Sequence, residues 1–186
     1  SGGGSISIIG DAGDGAAGSN VGVYVGAGGR IAVPDVSVVN ATFAILGSGG
    51  LGATGGENLG VFLGGNLSSP GPSISIDATS GNGPDSHGMF IGNSVITLAG
   101  TGVLRIKADS TVANVLDLDL GGASMVTSIT QSGSGAIELV ADSMRIDPSV
   151  TISAANARVS LVPFTANRRI SLGSRRRTTP NTLELA

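Results

Sequence analysis

The sequence predicts an all-β protein, a parallel β-helix (a solenoid) of short strands joined by Gly-rich turns, on three observations. Aliphatic and polar residues alternate over many short runs, one strand-sized phrase recurs along the chain, and glycine punctuates both. Gly supplies 32 of 186 residues, while aromatics are 3% and charged residues 12%. That Gly share is about twice the average. Apolar residues still make up 40% of the chain. A disordered Gly/Ser linker lacks such aliphatics, and collagen needs Gly at every third residue, so both are excluded.

The alternation comes first. Ser5-Ile6-Ser7-Ile8, Ser73-Ile74-Ser75-Ile76, Leu104-Arg105-Ile106-Lys107 and Leu116-Asp117-Leu118-Asp119-Leu120 each switch between apolar and polar at every step. Ile137-Glu138-Leu139, Thr151-Ile152-Ser153, Val159-Ser160-Leu161, Ile170-Ser171-Leu172 and Leu183-Glu184-Leu185 do the same. In a strand, successive side chains point to opposite faces, so each run offers one aliphatic row and one wet row. The pattern places Ile74, Ile76, Leu104, Ile106, Leu116, Leu118, Ile137, Leu139, Ile152, Leu161 and Ile170 in one core. It points Ser75, Arg105, Asp117, Glu138 and Ser160 outward. The best helical candidate, Ser153–Arg158, is too short to change the class.

The recurring phrase is G-Φ-aromatic-Φ-G with a polar or aliphatic lead. It stands at Asn20-Val21-Gly22-Val23-Tyr24-Val25-Gly26, Asn58-Leu59-Gly60-Val61-Phe62-Leu63-Gly64 and Ser86-His87-Gly88-Met89-Phe90-Ile91-Gly92. A fourth, degenerate copy is Val115–Gly121. Successive copies lie 38, 28 and 29 residues apart, a spread that a coil absorbs as loop insertions. One unit buries two or three aliphatic side chains, on the order of 1.5–3 kcal/mol each. Ordering the whole unit costs roughly 1–2 kcal/mol per residue. Stacking on neighbours is what makes the unit stable. Gly is expected to supply positive-φ corners between strands, with Asn20, Asn58 and Asn82 sharing that role.

An antiparallel sandwich or barrel is the alternative, since it too uses short strands. Its hairpin signal, a tight Asn-Gly or Asp-Gly between two strands, is nearly absent here. An outer-membrane barrel needs strands of ~9–11 residues and aromatic girdles. With four Phe, one Tyr and no Trp, this chain is poor in such aromatics, which disfavours that class.

Other classes close in the same way. The absence of Cys removes disulfides and thiolate metal sites. Mean hydropathy is +0.34, yet no apolar run approaches the ~18 residues of a membrane helix. No signal peptide opens the chain, and both ends look like cuts through a continuing pattern, so a much longer parent chain is expected. Residues 1–157 hold 12 acidic and 4 basic residues, whereas residues 158–186 hold 1 and 6. Strands start at Ile6–Ile9 and end at Leu183–Leu185, leaving no room for caps. Head-to-tail stacking of an acidic end on a basic one is therefore expected.

The stretch Val159-Ser160-Leu161-Val162-Pro163-Phe164-Thr165-Ala166-Asn167-Arg168-Arg169-Ile170-Ser171-Leu172-Gly173 resembles a phrase of filamentous-haemagglutinin-like bacterial proteins, V-x-L-x-P-x-T-x-G-R-x-I-x-L-G. In that family a Thr-containing spacer and an L-x-L strand follow, a slot filled here by Thr178-Thr179-Pro180-Asn181-Thr182-Leu183-Glu184-Leu185. The Gly-rich units upstream are similar to repeats of the same proteins. The chain departs at Asn167, where the family has Gly and Asn can keep a left-handed turn. It also departs at Arg175-Arg176-Arg177. The resemblance implies a right-handed β-helix, export by a two-partner or autotransporter-like route, a secreted or cell-surface location, and adhesive or filament-forming roles. It brings no catalytic residues.

Candidate chemistry is sparse. His87 is the single histidine. Asp85 and Ser86 are its neighbours in sequence, where side chains point apart, so a turn-edge residue in the slot of Val21 and Leu59 is the better account. Gly10-Asp11-Ala12-Gly13-Asp14-Gly15 echoes the Ca²⁺-binding nonapeptide, but the equivalent loops 47–56 and 79–83 carry no Asp to complete an oxygen shell. Asp117 and Asp119 have the spacing of a glycosidase carboxylate pair, with Lys107 or Arg105 imaginable on the next rung. Without nearby aromatics in sequence they read as a solvated outer strand face. Arg168, Arg169, Arg175, Arg176 and Arg177 form a basic cluster without interleaved aromatics, which disfavours nucleic acid. They read as a solvated loop or as a patch for acidic glycans, anionic surface polymers or an acidic neighbouring segment. Asn40-Ala41-Thr42 and Asn66-Leu67-Ser68 match the N-glycosylation pattern and carry no weight in an Asn-rich chain.

The expectation is thus a single β-helix segment over 1–186, with Gly-rich repeats in 1–121 and more regular rungs in 122–186. It is expected to be structural or adhesive, with no enzyme activity, metal or cofactor and no membrane span. Its expected partners are itself or neighbouring segments of the same protein, and surface glycans. A β-helix enzyme acting on acidic polysaccharide is the alternative.

Overall fold

Short runs in which every second residue is aliphatic can hide that row by lying side by side with other such runs. They do so here. The computed structural model of the chain describes residues 5–33, 41–51, 55–113, 115–122, 124–167, 169–172 and 182–185, with side chains through residue 167. Among these residues there are eighteen strands and no helix, so none is long and apolar enough to cross a membrane.

The strands come in threes. The chain runs through β1 (Ile6–Asp11), β2 (Val23–Val25) and β3 (Arg30–Ala32), then β4 (Thr42–Ser48), β5 (Val61–Leu63) and β6 (Asn66–Ser69). The next circuits hold β7 (Ser73–Thr79), β8 (Met89–Ile91) and β9 (Val95–Leu98), then β10 (Leu104–Asp109), β11 (Leu118–Leu120) and β12 (Thr127–Gln131). β13 (Ile137–Val140), β14 (Ser143–Ile146), β15 (Val150–Ala154), β16 (Val159–Val162), β17 (Arg169–Leu172) and β18 (Thr182–Leu185) complete the set. Members of a triplet enter different sheets, and from the first triplet to the fifth each strand pairs with its counterpart in the next. The first sheet is ordered β1-β4-β7-β10-β13-β16, and the third holds β3, β6, β9, β12 and β15. The second holds β2, β5, β8, β11 and β14, then β18, with β17 outside it. All pairings described are parallel, unlike an antiparallel sandwich or barrel. The end of the second sheet departs from chain order: the L-x-L strand β18, not β17, lies against β14.

Register stacks like on like. Ile8, Ile45, Ile76, Ile106, Leu139 and Leu161 stand side by side in the first sheet. The inner four are fully buried, and Ile8 and Leu161 pack against them. All three sheets feed one cluster, with Leu63, Met89 and Leu118 from the second and Leu67, Ile96 and Ile129 from the third. Of the residues expected inside, Ile74, Ile76, Leu104, Ile106, Leu118, Ile137 and Leu139 are buried, and Ile152 and Leu161 are partly so. Leu116 is only half-buried, and the side chain of Ile170 lies outside the described residues. Ser75, Arg105, Glu138 and Ser160 form the opposite column and are half-exposed.

Asp117 corrects the pattern. It is buried, because β11 begins only at Leu118 and Asp117 sits in the corner before it. Aligning the degenerate fourth copy puts Asp117 in the slot of Gly22, Gly60 and Gly88. A Cβ on those glycines would stand 2.5–2.6 Å from the backbone N of Ser48, Thr79 and Asp109. In the fourth rung the Asp carboxylate fills the corner and accepts hydrogen bonds from Ser110 N at 3.0 Å, Asp142 N at 2.8 Å and Ser143 N at 2.7 Å.

Glycine supplies positive-φ corners as expected at Gly28 (79°), Gly83 (100°), Gly100 (69°) and Gly121 (86°), whereas the three asparagines play a different part. Positive φ falls on Ser19 (64°), Glu57 (63°) and Asp85 (54°), not on Asn20, Asn58 or Asn82. The Asn residues instead tie rungs together: Asn20 N donates to Asn58 Oδ1 at 3.1 Å, and Asn58 N to Ser86 Oγ at 3.1 Å. Asn167 does adopt the left-handed conformation, φ 64°.

One turn yields a titration result. Asp147 Oδ1 accepts from Ser149 N at 3.0 Å and Ser149 Oγ at 2.7 Å, and these bonds hold its carboxyl below the ordinary range. A group with a depressed folded pKa stabilises the fold above its unfolded value, a contribution lost as pH falls through the folded one. A carbon-detected NMR titration should place the Asp147 midpoint below that of a free Asp. Ser149→Ala should raise it part of the way, since the backbone bond remains.

Candidate binding groove

The outward residue of the G-Φ-aromatic-Φ-G phrase is the starting point. Tyr24, Phe62 and Phe90 align across β2, β5 and β8, and the same column continues through Asp119 and Arg145. The rings stack at centroid distances of 4.8 Å and 5.5 Å with interplanar angles of 14° and 10°. Such pairs contribute about 0.5–1.5 kcal/mol each beyond their burial. The closing glycine of the phrase makes the ladder possible. A Cβ at Gly26, Gly64 or Gly92 would stand 2.8 Å from the ring of Tyr24, Phe62 or Phe90, so each ring leans over the glycine two residues on.

Beside the ladder run two more columns. Val21, Leu59 and His87 lead into the strands, and Ser19, Glu57 and Asp85 form the left-handed bends before them. Together they line an open groove of about 750 Å³, which Asp119, Arg145 and Met125 also line. Glu57 and Asp85 are exposed carboxylates on its wall.

Asp119 is buried and doubly bound, Arg145 Nε donating to Oδ1 at 2.8 Å and Nη2 to Oδ2 at 2.5 Å. A bidentate pair of this kind is strong and directional. His87 Nε2 lies 3.8 Å from Asp119 Oδ2, while its Nδ1 is 3.0 Å from the carbonyl of Leu116. A carbonyl can only accept, so Nδ1 is a donor to it, and Nε2 is the ring nitrogen turned toward Asp119.

His87 therefore occupies the slot of Val21 and Leu59 as expected, but with a carboxylate partner that sequence adjacency did not suggest. Its neighbour Ser86 is buried and donates to Asn82 O at 2.9 Å, so Asp85, Ser86 and His87 form no relay. The expected solvated face of Asp117 and Asp119 is not formed. Both are buried, and only Asp119 reaches the groove. Arg105 and Lys107 lie in the first sheet, paired with Glu138 at 3.0 Å and Asp77 at 3.7 Å, while the cation at Asp119 is Arg145. Asp14 Oδ1 accepts from Leu51 N at 2.9 Å, binding one Gly-rich loop to the next. Among the described residues no three His, Asp or Glu side chains are grouped to hold a metal. Asn66 Oδ1 accepts from Val95 N at 3.0 Å, and Asn40 lies outside the described residues. So do Arg168, Arg175, Arg176 and Arg177, while Arg169 is described in its backbone alone.

No family model matches this chain, and neither a curated protein nor a solved structure is similar to it.

The aromatic ladder beside Asp119 was missed because Phe90 and Asp119 stand 29 residues apart in sequence yet adjacent in the sheet. The signal that finds it is the degenerate copy Val115–Gly121. Set under the other three, it puts Asp119 in the aromatic slot.

Proposed function

We propose that this chain is a closed, right-handed β-helix that serves as a structural and adhesive segment of a large secreted or surface-exposed bacterial protein of the filamentous-haemagglutinin-like kind. The observation that carries this reading is the regular return of the chain to the same three sheets, with aliphatic columns in register from Ile8 to Leu161. Such a body is a rigid spacer whose length grows with its rungs. β1, β2 and β3 stand at one edge of their sheets with Ile6, Ile9 and Tyr24 exposed, a surface suited to stacking on a further repeat or a second copy. The acidic body and basic final segment favour head-to-tail contact that salt screens over ~8 Å at 0.15 M.

The reading assigns no catalytic role. Asp119 is engaged by Arg145, and Asp117 by three backbone amides away from the groove. Sedimentation and electron microscopy of the purified chain at low and high salt test the assembly. Elongated, salt-sensitive head-to-tail oligomers are expected. A monomer at high concentration in both conditions would sink the self-stacking role.

A further inference from the structure

We propose that the groove along the second sheet binds an extended, uncharged saccharide lying along the stacking direction of the rungs. The inference deepens the adhesive reading and depends on it only for its biological use, since the site itself rests on the groove's own residues. Three features select the ligand: repeat, charge and the character of the surface.

The repeat is the first. Three successive rungs each present an aromatic ring, Tyr24, Phe62 and Phe90, at a step of 4.8–5.5 Å, flanked by Val21, Leu59 or His87 and by Ser19, Glu57 or Asp85. That step is close to one pyranose ring with its linking oxygen, so successive sugars of an extended chain meet successive rungs. An extended peptide repeats its side chains on one face every ~6.8 Å and falls out of step. Peptides commonly dock by adding a strand to an open edge. This groove is a sheet face, whose backbone groups are committed to the neighbouring rungs.

Charge is the second. Glu57 and Asp85 put exposed carboxylates on the wall, and the one guanidinium that lines the groove among the described residues, Arg145, is committed to Asp119. Sulfated or uronic-acid chains meet like charge there, so the groove disfavours the acidic polysaccharides considered from sequence alone.

The surface is the third. The stacked rings expose their edges, which carry partial positive charge and attract hydroxyl and ring oxygens. Carboxylates on the opposite wall accept hydroxyl hydrogens, and Val21 and Leu59 offer an apolar floor to C–H groups. A neutral sugar chain has all three complements.

Isothermal titration of the whole chain with neutral β-1,4-linked hexasaccharides of glucose and of N-acetylglucosamine tests this, with a sulfated hexasaccharide and a Lys-rich peptide as competing probes. One neutral hexasaccharide should bind in the micromolar to millimolar range. Phe62→Ala should weaken it at least roughly tenfold, as should the pair Glu57→Gln and Asp85→Asn. The second variant changes exposed side chains only, so it decides the matter even if Phe62→Ala perturbs the fold. No neutral binding at millimolar concentration, binding untouched by the Glu57→Gln/Asp85→Asn variant, or preference for the sulfated chain or the peptide would overturn the proposal. Sedimentation of the same variants separates the two readings. A chain that assembles but binds no sugar overturns the groove alone, and one that binds sugar but stays monomeric overturns the stacking alone.

Discussion

Asp117→Ala should lower the unfolding free energy by about 2–6 kcal/mol, from the loss of partners for two buried backbone donors at about 1–3 kcal/mol each, together with a half-buried third. The donors are Ser110 N, Asp142 N and Ser143 N, and the carboxylate that serves them is 1% exposed. Total stabilities of about 5–15 kcal/mol are usual, so the loss is a large fraction of the whole. The denaturation midpoint should fall, and hydrogen exchange should show the amides of Ser110, Asp142 and Ser143 losing protection before the rest of the fold. Asp117→Asn, which keeps one acceptor oxygen, should lose less. A midpoint unchanged by the Ala variant would show that another group serves these donors.

Gly60→Ala is expected to destabilise by about 3 kcal/mol, at the upper end of what overpacking costs. Its methyl would stand 2.5 Å from Thr79 N and 2.6 Å from Thr79 O, both backbone atoms of the adjoining corner. They cannot swing aside as a side chain can. Moving them strains the cross-rung bonds Val23 N to Gly60 O at 3.0 Å and Val61 N to Gly88 O at 3.1 Å. Gly13→Ala is the control. Nothing lies within 4 Å of a Cβ there and its φ is not positive, so the change should be neutral or stabilising by up to about 1 kcal/mol. Thermal melts of the two variants side by side settle it, and equal melting temperatures would show that Gly60 is not held by close approach.

These two positions also mark how far the sequence could be read. Ile74, Ile76, Leu104, Ile106, Ile137 and Leu139 were legible because alternation is a local signal that register then repeats. The run Leu116–Leu120 alternates just as cleanly, yet its first half lies in a corner, where strand parity does not hold. The partners of Asp117 come from residues 110, 142 and 143, and no local pattern joins them. Glycine was read only in part, right for the positive-φ corners at Gly28, Gly83, Gly100 and Gly121 but not for the close-packed ones, for a related reason. Composition reports that a small residue is needed, but not whether the need is a dihedral angle or a neighbouring strand. At Gly22, Gly60 and Gly88 it is the neighbouring strand. The groove was half legible: the recurrence of Tyr24, Phe62 and Phe90 was plain, whereas their adjacency to Asp119 and Arg145 exists only once the rungs are stacked.

The all-parallel pairing has a mechanical consequence. Hydrogen bonds between rungs point along the stacking direction, so tension applied along that direction pulls the ladders open, and the end rung, paired on one side only, yields first. Rungs then detach one at a time, and each event frees a loop of about 30 residues, the separation of Ser73 and Val103. At ~3.4 Å per residue that is a slack of roughly 100 Å per event. Under such tension the stack is expected to lengthen stepwise, as a shock absorber does, and to re-form on the strands still paired when the load is released.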